Sequence, residues 1–201
     1  MKNILFTLLI SLSALTSCTI TKKVSINFEK ETDTTLLQSL EKNNVIYNKG
    51  DLATLKNIVV LSQYSQQGKL SIPEAYFFNK EGYRVHDNFK GTRCGQVITN
   101  IEKVNDAPVE NKEHISDWIK DYNFMADPAI EGLEYDAYVI LTWGNFIDKD
   151  AHAANETAFK WYKSLKEDKK NLKIKTILLN LDVQDTWGIT KEQEDALGMG
   201  K

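Results

Sequence analysis

Apolar residues along the chain fall into blocks of two kinds, some spaced for helices and others continuous or alternating as in strands. Leu36, Leu37 and Leu40, following Asp33 and two threonines, stand at helical spacing and predict a short amphipathic helix with a capping residue. Residues 57–62 (Asn-Ile-Val-Val-Leu-Ser) form an unbroken apolar run and predict a strand buried on both faces. Residues 75–79 and 83–86, separated by Lys80-Glu81-Gly82, predict a hairpin in which Gly82 supplies the positive φ of the turn. Val97, Ile98, Ile101 and Val104, then Ile115, Trp118, Ile119 and Tyr122, predict helices over 94–104 and 114–122, each burying one stripe.

The second half of the chain carries the firmer pattern. Tyr138 to Trp143 reads as a buried strand, and Asn155 as the cap of a helix that turns Ala158, Phe159, Trp161, Tyr162 and Leu165 inward. Leu172 to Leu181 reads as a second strand, with Leu172, Ile174 and Thr176 alternating with lysines at a solvated end before it enters the core. Strand, helix and apolar strand make a βαβ unit. Thr190-Lys-Glu-Gln193 is a capping-box pattern that opens a short last helix. The expected fold class is α/β, a central mixed sheet covered by helices in three layers. No repeat, low-complexity tract or Pro/Gly-rich linker divides residues 36–201, which are read as a single α/β domain.

Residues 1–17 change where that domain is expected to work. Lys2, an apolar core from Ile4 to Ala14 and a small-residue end fit a secretory signal, too short to span a bilayer. Leu15-Thr16-Ser17-Cys18 resembles the bacterial lipobox. That resemblance implies cleavage before Cys18, a diacylglycerol on its sulfur and an acyl chain, such as palmitate, on its amine. With about 0.8 kcal/mol per buried methylene, three chains make a lasting anchor. Residues 18–35 are read as a polar tether, with a short alternation at Val24, Ile26 and Phe28 that adds an edge strand. Lys22-Lys23 stands where surface-exposed lipoproteins of some lineages carry acidic residues. The expected location is the bacterial cell envelope, lipid-anchored in the outer membrane with the domain in the periplasm.

Composition narrows the classes of function. The chain has 201 residues, 42% hydrophobic and 26% charged, as in ordinary globular proteins. Its formal charge of −3 offers no positive field for a phosphate backbone, so no nucleic acid is expected as a partner. HExxH, GxSxG, Walker A and GxGxxG strings do not occur. No cofactor is expected.

Two stretches resemble thioredoxin-like proteins. Val139-Ile-Leu-Thr-Trp143, a helix, and residues 174–182 (IKTILLNLD) are similar to that family's first βαβ unit, whose strand ends in a tryptophan before the redox cysteines. Ile72-Pro73-Glu74 and the hairpin closed by Gly82 resemble its second signature, a cis-proline before a strand, beside the active site. The order is altered, since the proline hairpin precedes the tryptophan strand here. After Trp143 the chain reads Gly-Asn-Phe-Ile-Asp, so the family's CxxC is absent and its disulfide chemistry with it. The resemblance implies a groove beside Pro73 and Trp143 that holds a peptide or protein partner, and Trp187, just after the last strand, is read as a further lining residue, although aromatics at a strand end usually pack the core.

With Cys18 lipidated, Cys94 is the single free thiol. It follows Arg93 at an expected helix start, where a thiolate is favoured, though small buried cysteines are common packing. Asp148, Asp150 and His152 alternate in a loop after a strand and offer oxygen and nitrogen ligands for a metal, although a solvated charged loop is the simpler account of them. His86 and His114 fit no ligand spacing. Two functions remain: a noncatalytic, lipid-anchored binding or interaction module, or a thiol-dependent redox enzyme or sensor using Cys94.

Overall fold

The computed structural model describes residues 28–85, 101–130, 134–146, 152–169 and 171–199. The strands are β1 (Lys30–Glu31), β2 (Leu52–Leu55), β3 (Glu74–Phe78), β4 (Tyr83–Val85), β5 (Val109–His114), β6 (Tyr122–Phe124), β7 (Ala137–Trp143), β8 (Ile174–Asn180) and β9 (Val183–Gln184). The helices are α1 (Asp33–Lys42), α2 (Ile58–Gln66), α3 (Ile115–Ile119), α4 (His152–Glu167) and α5 (Lys191–Ala196). Seven strands form one sheet in the order β5-β4-β3-β7-β8-β2-β6. Its centre, β7, β8 and β2, is parallel, while β3 and β6 run antiparallel beside it. The protein is therefore α/β, with a mixed sheet between helical layers.

Alternation along the strands sorts the core onto two faces. Phe77, Val139, Leu141, Trp143 and Leu178 face α1 and α4 and meet Leu36, Leu40, Ala158, Phe159, Tyr162 and Leu165. Tyr76, Phe78, Ile140, Ile177 and Leu179 face α2 and α3 and meet Val60, Leu61, Tyr64, Ile115 and Trp118. The β7-α4-β8 unit stands as the sequence predicts, with parallel register from Ala137↔Ile174 to Trp143↔Asn180. The hairpin of β3 and β4 is also as expected, with φ +84° at Gly82, where a Cβ would run into the His114 ring. The helix after the threonines begins at Asp33, capped by Thr32 in a capping box with Thr35. The box at Thr190 and Gln193 opens α5.

Other segments differ from the expectation. Residues 57–62, expected as a strand, instead open helix α2: the Asn57 side chain accepts from the Val59 and Val60 N–H groups and starts a helix there. The strand lies just before it, at Leu52–Leu55. The helix expected over 114–122 stops at Ile119, and Tyr122–Phe124 pairs with β2 instead. Ile101 and Val104 are buried as their stripe requires, but on a 3-10 turn over Ile101–Asp106; the rest of that expected helix, with Cys94, lies outside the described residues. Asn155 lies within the first turns of α4, which starts at His152, rather than capping it. Lys175 is buried rather than solvated; its Nζ bonds Asp51 Oδ1 at 2.9 Å and the Gly50 carbonyl at 3.0 Å.

The segment read as a tether is joined to the body from Phe28 onward. Phe28 stacks on Phe146 at 4.9 Å, and Lys30–Glu31 pairs in parallel with Val183–Gln184.

Candidate functional site

The carboxyl ends of β7 and β8, where open α/β sheets hold their ligands, carry a dense polar construction. Beyond Trp143 the chain turns through Gly144, Asn145 and Phe146, and that turn is fixed from three sides. Asp182, just past β8, accepts from the Asn145 and Phe146 N–H groups at 2.8 Å and from Asn180 Nδ2 at 2.6 Å. Asn155 reaches back from α4, accepting from the Gly144 N–H at 3.1 Å and donating to its carbonyl at 2.9 Å. The Asn145 side chain takes a hydrogen bond from Ser39 Oγ at 3.0 Å and gives one to Glu31 at 3.2 Å. Burial pushes the Asp182 carboxyl up to about 6 against the pull of its donors.

The proline segment lies against this turn. The Ile72–Pro73 bond is cis, and Glu74 stands opposite Thr142 in the β3–β7 ladder. The buried Thr142 Oγ1 donates to the Ser71 carbonyl at 2.6 Å and accepts from the Glu74 N–H at 2.9 Å, clasping both sides of the proline. Pro73 and Ile72 are half-buried. Among the described residues, the Ile72 N–H and carbonyl have no hydrogen-bond partner. A Cβ on Gly144 would lie 3.1 Å from Ile72 Cδ1, so the Ile72 side chain packs closely against the Gly144 backbone here.

On the α2 face, beside Pro73, a pocket of about 470 Å³ is lined by Gln67, Lys69, Ser71, Glu74, Tyr76 and Arg84, with Glu110 and Glu113. Trp118 lies against two cations, with Lys69 Nζ 4.0 Å and the Arg84 guanidinium carbon 5.5 Å from its ring centre. Glu113 links them, 3.5 Å from Lys69 and 2.9 Å from Arg84, and Arg84 Nε lies 3.3 Å from Glu110. Burial lowers the Lys69 pKa against the pull of Glu113. Burial would raise Glu113, but the Arg84 hydrogen bond and Lys69 hold it below the usual carboxylate range.

The structure separates the residues expected to form one groove. Pro73 is half-buried just before β3, but Trp143 is 1% exposed and packs edge-on against Phe159 at 5.3 Å, in the core on the α4 side. Trp187 packs on the opposite face, its Nε1 donating to the Leu55 carbonyl at 3.1 Å. Alternation along β7 turns Trp143 to one side of the sheet, whereas Trp187 lies on a 3-10 turn after β9 that packs on the other. His114 caps α3 and lies 2.9 Å from the Glu81 carbonyl, a structural place in the hairpin. Cys18, Cys94, His86, Asp148 and Asp150 lie outside the described residues, as does the side chain of His152. Among the described residues no group of three His, Cys, Asp or Glu could hold a metal, and no helix is long and apolar enough to cross a membrane.

Sequence reasoning missed Asp182, Asn155, Thr142 and Glu74. A signal existed for the first: Asn180, Asp182 and Gln184 are polar residues placed at the end of an otherwise apolar strand, and all three are buried. No family model matches the chain, and neither curated proteins nor solved structures provide a match.

Proposed function

We propose that this is a lipid-anchored protein of the bacterial envelope whose domain is a noncatalytic module binding an extended peptide or protein segment beside cis-Pro73. The observation that carries the reading is the cis-proline segment set beside the turn after β7. Where thioredoxin-like proteins place reactive cysteines, this chain has a Gly144–Phe146 turn tied down by Asp182 and Asn155, next to Ile72 peptide groups that have no partner among the described residues. An extended segment lying along Ile72 would complete those hydrogen bonds, as a strand added to a sheet edge does. The sequence around Cys18 supports the anchor, and the thioredoxin-like reading is supported by a cis-proline strand lying directly against the tryptophan strand.

The test pairs binding with turnover. Fluorescence anisotropy with β-forming peptides is expected to show saturable binding to the full-length Cys18→Ser chain. Insulin reduction and peroxide consumption are expected to stay at the level of the Cys94→Ser variant. Turnover that disappears with Cys94→Ser would overturn the reading in favour of thiol chemistry.

A further inference from the structure

The pocket on the α2 face adjoins the docking line, because Ser71 and Glu74 bracket the cis bond and also line the pocket. Its charges are unevenly matched. Lys69 pairs with Glu113, and Arg84 with both Glu113 and Glu110, so these two cations are neutralised within the protein. Glu74 has no cationic partner among the described residues; its Oε1 accepts only from the Ala75 N–H at 3.3 Å. Three carboxylates thus line the pocket against two cations, and the unmatched negative charge stands next to Pro73.

Each class of occupant meets this arrangement differently. An anionic group would have to compete with Glu113 for Lys69 and Arg84 while facing Glu74. An apolar group would remove water from Glu74 and return nothing. A lysine or arginine side chain provides the missing partner, and the buried Tyr76 gives its stem an aromatic wall. A strand laid across Ile72 and Pro73 sends alternate side chains to opposite faces, so one of them is directed to the α2 side.

Resting on the peptide-binding reading above, we propose that this pocket is a subsite for a lysine or arginine side chain of the bound segment, with Glu74 as the recognising carboxylate. The partner is then an extended segment with a basic residue at the position facing α2, and its affinity falls as salt rises.

The test uses labelled β-forming peptides that differ at one central residue: arginine, lysine, citrulline, norleucine or glutamate. Against the full-length Cys18→Ser chain, the arginine and lysine peptides are expected to bind about tenfold more tightly than the citrulline and norleucine peptides, the scale of a partly buried charge-assisted pair. Glu74→Gln is expected to bring the arginine-to-citrulline ratio to about one, and Glu74→Lys to reverse the preference towards glutamate, a gain that misfolding cannot imitate. Equal binding of all peptides, or a basic preference that survives in Glu74→Gln, would overturn the subsite alone. If none of the peptides binds, the peptide-binding reading fails, and the subsite fails with it.

Discussion

Asp182 holds two backbone N–H groups and an amide in place while almost wholly removed from water, and these opposing demands set its titration. Burial raises its pKa from 3.8 to about 6, so the native state holds the proton more tightly than the unfolded chain. Through this group stability rises as pH falls through about 6, with no further gain below 3.8; the full difference is about 3 kcal/mol. Glu113, held low, acts with the opposite sign and only at more acid pH. Urea unfolding at pH 4.5 and 7 is expected to show about 2 kcal/mol of that gain in the native protein and not in Asp182→Asn; equal pH dependence in the two would contradict it.

The buried cluster at the other end of the sheet gives a second case. Asp51 receives Lys175, Lys166 at 2.8 Å and Tyr162 Oη at 2.9 Å, and the Tyr162 hydroxyl is raised by burial and by Asp51. Asp51→Ala leaves Lys175 buried without its counter-charge and is expected to cost about 3–5 kcal/mol in denaturant unfolding. Lys175→Met costs less, since Asp51 keeps Lys166 and Tyr162. None of this was legible from alternation, which puts Lys175 in solvent; a charge can be buried in a strand when a distant partner waits for it.

Elements were legible where their pattern was long enough to exclude alternatives. Tyr138–Trp143, the α4 stripe and Ile174–Asn180 each extend over six or more residues of one period, and all three form as expected. Within residues 57–62 only the four from Ile58 to Leu61 are apolar. A short apolar run suits a buried strand or a buried helix face, and the Asn57 cap decides for the helix, leaving Val59 60% exposed. Asn57→Ala is expected to cost about 0.5–2 kcal/mol, read as a lower urea midpoint with unchanged slope. At Gly82 the positive φ and the contact with His114 act together. Gly82→Ala is expected to lower stability by more than the ~1 kcal/mol of an ordinary glycine-to-alanine conflict, and thermal unfolding measures it.

At the scale of the molecule, sheet order brings together what the sequence keeps apart. Pro73, just before β3, and Trp143, at the end of β7, are far apart in the chain, and only the antiparallel pairing of β3 with β7 sets the proline against the turn that Asp182 supports. The proline half of the site was visible as a motif. Its polar half was not, because Asp182, Asn155 and Thr142 acquire their roles from tertiary contacts with backbone groups. The proposed anchor belongs to the same scale: Cys18→Ser is expected to move the protein, any form retaining its signal aside, from the membrane fraction to the soluble fraction of fractionated cells, and continued sedimentation with membranes would contradict lipidation.

Amide chemical-shift mapping of the full-length Cys18→Ser chain, titrated with an unlabelled β-forming peptide, addresses the central claim most directly. The account predicts saturable shifts concentrated at Ile72, Glu74 and Ala75 and at Gly144, Asn145 and Phe146. Absence of shifts at saturating peptide, or shifts confined to residues away from the proline and the β7 turn, would contradict it.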